Sequence, residues 1–454
     1  MKKNIFIILG LLLGLQLKAQ LSFELGEYAQ FRTPKPGIHV LAGSDLIDLG
    51  ILGSGDDLNR LVIGARMESV LSHLNDTSRF FNQAIHYLID DNDGLLDPQS
   101  KVYFYLNGPY GVEWDESNNR YQYTAHPYSN YEHFIVSATA APEQYEMDER
   151  ASNLIGSSNR TITTSNQYYH RDTALYNLVG TGRRWFGELF DFTTTQVFDL
   201  PLLPLNASTM DVEISAVARS SSSSTTLSVQ NGGSVTFQAV ATSSVSNYVI
   251  ERGLSTTIPS SNKVILTYDK STDNGAALWL DQLKVNYRTD NSVVANSYYQ
   301  KRFQNYPRHQ DSISNIELVG SDLLVLDITN NGQPIAISAT SNGNVTSFEV
   351  SEDSFQEFIA IPKNAAFEPS FVRTGKLTFF EELSGVNALI ITADSLMQQA
   401  ERLASLQNSI GVNSKAIALE EIYALVNGGT PEIAAIRQFL VELNSTNDDG
   451  LEYL

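Results

Sequence analysis

In the stretch DVEISAVAR, residues 211–219, Val212, Ile214 and Ala216 alternate with polar neighbours, and SVTFQAVA, residues 234–241, repeats the pattern with Val235, Phe237 and Ala239. Successive side chains of a strand point to opposite faces, so a period of two marks strands with one buried face. Asn-Gly pairs at 231–232, 331–332 and 342–343 separate such runs. These dipeptides accept the positive φ that tight hairpin turns require. The pattern predicts an antiparallel β-sandwich through the middle of the chain. The serine run 220–224, followed by Thr225 and Thr226, is too short for a domain linker and reads as a solvated loop between strands.

The period changes near residue 381. NALIIT, 387–392, is a continuous apolar run suited to a strand covered on both faces. Asp394 stands at an N-cap position, and Leu396, Ala400, Leu403, Ala404 and Ile410 recur at helical spacing as one inner face. KAIAL, 415–419, predicts a second buried strand. Thr430-Pro431 predicts the start of a helix over 431–443, since proline in the first turn forgoes only an N–H without a partner. Ile433, Ile436, Phe439, Leu440 and Leu443 would line its inner stripe, and LEYL, 451–454, would open a third strand. Strands alternating with helices imply a parallel sheet with helical crossovers, covered on both faces. Two strands and a four-residue stub leave that sheet incomplete.

The opening residues, MKKNIFIILGLLLGLQLKAQ, follow neither period. Two lysines precede an apolar stretch from Ile5 to Leu15, and Leu17 and Ala19 occupy positions minus three and minus one before Gln20. This is the layout of a secretory signal peptide. No later stretch reaches the ~20 apolar residues of a membrane helix. The expected organisation is a signal peptide, 1–19, an N-terminal β-rich domain, 20–195, a β-sandwich domain, 196–380, and the start of an α/β domain, 381–454. The fold class is mainly β.

Composition narrows the chemistry. The 454 residues are 42% hydrophobic, enough for more than one core. A formal charge of -21 removes nucleic acid from the expected partners, because a phosphate backbone calls for a basic face. There is no cysteine, so these residues supply neither a disulfide nor a thiolate.

Three patterns imitate binding motifs. GTGRRW, from Gly180, has Trp185 where a dinucleotide fingerprint needs its third glycine, and it lies among strand-like sequence. DDNDG, 90–94, resembles a calcium loop, yet with Gly94 in the sixth position the first would be Ile89, which has no oxygen side chain. It reads as a polar turn. His126 and His133 are an odd number of residues apart, hence on opposite faces of any single strand, and Pro127 interrupts pairing. They read as half-buried or surface histidines, and neither a metal nor a cofactor site is assigned. The segment 168–191 concentrates His170, Arg171, Asp172, Arg183, Arg184 and Glu188, and reads as an aromatic-anchored loop with surface ion pairs.

That segment also resembles a known family. Gly182, Arg184, Trp185, Phe186, Gly187, Glu188 and Phe190 match the "GR-WFGE-F" stretch of the gingipain-like cysteine peptidases that act as sortases of the type IX secretion system, with Arg183 inserted. HPYSNYEHFIV, 126–136, resembles the family's aromatic "H-YS" strand. ALWLDQLKVNYR, 277–288, resembles its "WLDYI-VN" strand through Leu280, Asp281, Val285 and Asn286. Residues 387–412 and 421–443 look like the opening of its caspase-like peptidase domain, the latter through Ile422, Tyr423, Ala435, Ile436, Arg437 and Phe439. Trp185 and Phe186, beside Gly182 and Gly187, are expected to be buried anchors of a tight corner.

The resemblance implies a secreted cysteine endopeptidase and transpeptidase that removes C-terminal sorting domains from cargo proteins and joins the new carboxyl end to surface lipopolysaccharide. It implies residence at the bacterial cell surface, on the outer face of the outer membrane, held by a barrel protein of the secretion complex. The family's catalytic histidine and cysteine follow later strands of its peptidase sheet, and this chain departs from it by having neither there. The chain reads as the N-terminal portion of such a sortase, truncated inside the catalytic domain. The alternative is a catalytically inactive, β-rich surface or binding protein lacking the His/Cys dyad.

Overall fold

The computed structural model describes residues 27–66, 71, 83–91, 93–142, 145–154, 158–178, 180, 182, 184–240, 249–295, 299–308, 312–330, 332–377 and 380–446. The predicted leader, the turn at Asn331 and the strand LEYL lie outside these residues.

The alternating run at 211–219 forms the strand Thr209–Arg219, which buries Met210, Val212, Ile214, Ala216 and Ala218. It runs antiparallel between Ile250–Pro259 and Ala277–Asp290, and Thr164–Arg171 pairs with the far side of the latter. A second antiparallel sheet holds Thr195–Asp199, Lys263–Asp269, Thr225–Val229 and Ser234–Phe237, in that order. Apolar side chains of the two sheets share one core, including Phe198, Val212, Leu227, Phe237, Leu266 and Leu283. The predicted sandwich is therefore present. Asn231 turns between two of its strands at φ 61°, and Gly343 takes φ 62° between Thr340–Asn342 and Val345–Ser351. The serine run is a loop, but Ser220 is buried and the loop closes on Asp273, which accepts the N–H of Ser221 at 2.7 Å and of Ser222 at 3.0 Å.

The sheets gather strands from distant parts of the chain. One has the order Ser370–Lys376, Glu27–Thr33, Glu132–Ala138, Leu61–Ala65, Gln83–Ala84, all antiparallel. Its middle strand, Glu132–Ala138, is buried at every residue. A sheet of Gly37–Ala42, Lys101–Leu106 and Tyr87–Asp90 shares a core with it through Phe31, Leu61, Phe104, Phe134 and Val136. Two further sheets, one around Gln356–Pro362 and one around Ile313–Val319, enclose Phe303, Ile316, Phe348 and Phe358.

After residue 381 the predicted change of period appears as structure. Ala388–Thr392 and Ser414–Ala418 form a parallel pair in register from Ala388 opposite Ser414 to Thr392 opposite Ala418. The helix Met397–Ser409 connects them, and Leu419–Asn427 and Ile433–Thr446 follow. Leu419–Asn427 had no counterpart among the predicted helices.

Three details depart from expectation. Asp394 caps no helix; it pairs with Arg373, and Ala393 precedes a short turn without a side-chain cap. The helix Met397–Ser409 rests on Ala400 and Ala404, and Leu396, Leu403, Leu406 and Ile410 are exposed. Small residues let the backbone lie close to the sheet, which turns the large ones outward. The last helix begins at Ile433, two residues past Pro431; Ile433 is exposed, while Phe439 and Leu443 are buried in the core with Leu389 and Ile417.

Candidate functional site

The strands around 168–191 build a cleft. The hairpin of Tyr110–Asp115 and Arg120–Ala125 forms one wall, and residues 126–130 continue it. Thr164–Arg171 delivers His170 and, one residue beyond, Asp172; Ala277–Asp290 delivers Asp281; Gly182, Arg184 and Trp185 close the opposite side. The enclosed volume is about 680 Å³.

Rings and carboxylates meet there. His170 stacks on Tyr123 at 3.9 Å between centroids and meets the Tyr110 ring at 4.3 Å. Burial, together with the Lys284 charge, holds the His170 imidazole down to about 3, so it is neutral. Burial first, then the Asp281 carboxylate, pushes the Asp172 carboxyl up to about 6. Arg184 bonds Glu251 through both terminal nitrogens, at 2.8 and 3.0 Å, and reaches Asp281 at 3.5 Å. Arg171 pairs with Glu188 at 2.6 Å. The predicted surface ion pairs are thus present, and Arg184 and Asp281 line the cleft.

Trp185 is not the buried anchor that its sequence suggests. Phe186 is 2% exposed and packs on Val217 and Trp279, whereas Trp185 is 44% exposed and lines the cleft. The reason is local. Phe186 exchanges two backbone hydrogen bonds with Tyr176, each 2.9 Å, and in such extended pairing consecutive side chains face opposite ways. With Phe186 directed inward, Trp185 is directed out.

The cleft's floor meets the C-terminal segment through His126. Contrary to the half-buried or surface reading, His126 and His133 are both buried, in a polar junction between the Glu132–Ala138 sheet and residues 427–432. His126 Nδ1 accepts the N–H of Ser129 at 3.0 Å and of Tyr128 at 3.3 Å, which leaves the proton on Nε2, 3.4 Å from Glu432 Oε2. Glu432 also accepts the Leu71 N–H at 2.9 Å and lies 4.0 Å from Arg66. His133 N–H donates to Thr430 Oγ1 at 3.1 Å, and Gln30 Nε2 donates to Gly429 O at 3.3 Å. The loop comes this close because Gly428 and Gly429 sit at φ 70° and 96°, and a Cβ on either would run into the His133 carbonyl or the Gln30 side chain.

Among the described residues, Gly180, Gly182, Arg184 and Trp185 are directly followed by no helix, whose N-terminus a dinucleotide fingerprint would place beside a pyrophosphate. Around Gly94, Asp91 and Asp93 accept the N–H groups of Asp93 and Leu95, at 3.1 and 3.0 Å, as a polar turn does. Among the described residues no cluster of three or more His, Asp or Glu side chains is arranged for a metal. Arg66 was not singled out as a buried charge in need of partners, because the Glu132 and Glu432 charges near it come from segments far away in sequence.

Comparison with known proteins gives this frame a context. Residues 381–454 match the sequence model of peptidase family C25. Among solved structures, dimeric latent PorU from Porphyromonas gingivalis matches with a TM-score of 0.72 at 19% identity, over 92% of this chain and 39% of PorU. The Cry4Aa toxin from Bacillus thuringiensis matches only at a TM-score of 0.15 and 9% identity, over 52% of this chain and 43% of the toxin. No curated protein sequence matches. The fold is that of PorU over the region compared, as the motifs implied, and the α/β segment is of the C25 peptidase type. The chain spans 39% of PorU's length.

Proposed function

We propose that the chain is the N-terminal part of a type IX secretion sortase: an exported cysteine endopeptidase and transpeptidase that removes the C-terminal sorting domains of cargo and joins the freed carboxyl end to surface lipopolysaccharide. The observation that carries this reading is the C25 match at 381–454, continuous with a β frame of PorU-like fold. The chemistry requires a thiolate, a base to generate it and an amine to take over the acyl group from water. The 454 residues contain no cysteine, so in this reading the nucleophile lies in sequence outside them. What they contribute is the β frame, the first strands of the peptidase sheet and the junction that fixes one on the other. Among the described residues no helix is long and apolar enough to cross a membrane, and attachment to the outer face through a barrel protein belongs to the same proposal.

Deletion of the coding sequence tests it. Mass spectrometry of exported proteins should then find their C-terminal domains retained, and cargo matured as in the parent strain would overturn the proposal. The absence of a thiol favours a second reading, a β-rich binding protein without catalysis. That reading predicts unchanged maturation in the deletion strain.

A further inference from the structure

We propose that the cleft between the Tyr110–Asp115 hairpin and Trp185 binds a neutral oligosaccharide, with a sugar ring stacked on the indole and its hydroxyls bonded to side chains of the rim. Every residue concerned precedes the C25 segment, so the inference goes beyond the peptidase reading and does not depend on it. It starts from a tryptophan in an unusual place. Tryptophan is highly buried on average, and Trp279 is 7% exposed, but Trp185 is 44% exposed and lines the cleft. The backbone pairing of Phe186 with Tyr176 holds the indole on that side. Across the cleft the rings are already engaged: His170 stacks on Tyr123 at 3.9 Å between centroids, and Tyr110 packs against both. Trp185 has no such ring partner among the described residues.

The rim decides the chemistry of what stacks there. Asp172 and Asp281 offer acceptors, Arg184 offers donors, and the Asn130 amide offers both. Arg184 and Asp281 are matched with each other at 3.5 Å; Arg184 also bonds both oxygens of Glu251, and Asp281 accepts the Ser215 hydroxyl at 2.9 Å. An ionic ligand would have to compete with these pairs, whereas a hydroxyl donates and accepts at once and needs only a spare lone pair or N–H. Asp172 and Asn130 are exposed, so their bonds to water can be exchanged for bonds to hydroxyls one for one. A pyranose has a face of C–H groups and an edge of hydroxyls, which suits an indole face set among mixed donors and acceptors. An aliphatic ligand would cover the indole and strand the polar rim; a small ion would use the rim and leave the indole. At about 680 Å³ the cleft is within the usual range of ligand pockets. Pro34, Pro109 and Pro127 stiffen its rim, so little ordering is left to be done on binding.

The test uses the full chain and a panel of neutral hexasaccharides, maltohexaose, cellohexaose, mannohexaose and chitohexaose, followed by calorimetry and by tryptophan fluorescence. Trp114 is half-buried and Trp279 buried, so a shift of emission on binding reports chiefly on Trp185. At least one member of the panel should bind saturably, with an affinity that changes less than about twofold between about 0.05 and about 0.5 M salt, because the ligand carries no charge to be screened. Trp185→Ala should weaken that binding at least roughly tenfold, as truncation of an aromatic anchor does, while leaving the melting temperature nearly unchanged; Trp185→Tyr should restore most of it. Phe192→Ala trims an aromatic that is wholly exposed outside the cleft and should leave the affinity as it is. No saturable binding of any member below about 10 mM, affinity unchanged in Trp185→Ala, or equal weakening by Trp185→Ala and Phe192→Ala would each overturn the proposal. Saturable binding of the capped peptide acetyl-Gly-Pro-Gln-Pro-Gly-amide, lost in Trp185→Ala while the sugars fail to bind, would also overturn it, by reassigning the cleft to polypeptide.

Discussion

The sandwich core and the junction at residues 427–432 are both closed to water, yet they are built from opposite materials. In the sandwich, Val212, Leu227, Leu266, Leu278 and Leu283 are wholly buried among other apolar side chains. In the junction, Gln30, Arg66, His126, Glu132 and His133 face Asn427, Thr430 and Glu432. Apolar burial is non-directional and scales with area, so many residues of suitable size would serve in the core. A buried charge is tolerable only while each partner keeps its place. Arg66 makes the point: it is 4% exposed, its guanidinium nitrogens have no hydrogen-bond partner among the described residues, and its compensation comes from the Glu132 and Glu432 charges. The sandwich is held by quantity, and the junction by position.

The comparison breaks most sharply at Glu432. Glu432→Ala leaves Arg66 and His126 without their shared carboxylate and the Leu71 N–H without an acceptor. Removing one member of a buried charged group costs about 3–5 kcal/mol. The loss should be local: hydrogen exchange should speed up across 419–446 while Thr209–Arg219 stays protected. A denaturation midpoint within error of the parent, or equal loosening of both regions, would refute the positional account. In the core, Leu266→Ala should cost about 3 kcal/mol through transfer and cavity terms, with exchange at the junction unaltered.

The same contrast explains what could be read in the sequence. The sandwich was legible because each strand carries its own signal: Val212, Ile214 and Ala216 alternate whatever they pack against. The parallel pair was legible too, as NALIIT and KAIAL. The helix Leu419–Asn427 was hidden because KAIAL runs straight into LEEIYALVN with no breaker between strand and helix. The inner face of Met397–Ser409 was misjudged because an apolar stripe says that a face is apolar, not which neighbour covers it. The junction was illegible on principle. His126 and Glu432 are 306 residues apart, and no local period reports a pairing of that span. Its one trace in the sequence is Gly428-Gly429, a pair that permits positive φ and close approach.

Acidity sharpens the comparison through Glu132. Burial, offset in part by Arg66 and by the Gly108 N–H, raises this carboxyl to about 7. The folded state therefore holds the proton more tightly than the unfolded chain, whose glutamate titrates near 4.3. The stability due to this group is fully present below the unfolded value and is lost as pH rises through 7. His133 acts in the opposite sense: burial, then the Arg32 and Arg66 charges, hold it down to about 4, so its contribution is present above the ordinary histidine value and is lost as pH falls toward 4. Glu132→Gln removes the first arm and keeps the second. The change in unfolding free energy from pH 5 to pH 8 should then become more positive by roughly 2 kcal/mol relative to the parent, measured by urea denaturation at both values. An unaltered pH dependence would show that Glu132 is not the group that titrates.

The smallest effect is expected where two adjacent aromatics part company. Phe186→Ala opens a cavity against Val217 and Trp279 and should cost about 3–4 kcal/mol. Trp185→Ala trims a ring that is 44% exposed and leaves water in its place, so its cost should stay below about 1 kcal/mol. The two residues match the same family stretch, and only the backbone pairing of Phe186 with Tyr176 separates their roles. Thermal melts of both variants decide the matter. Equal losses would mean that Trp185 supports the fold from the cleft side; a large loss for Phe186 with almost none for Trp185 would mean that the larger ring is free to serve the cleft.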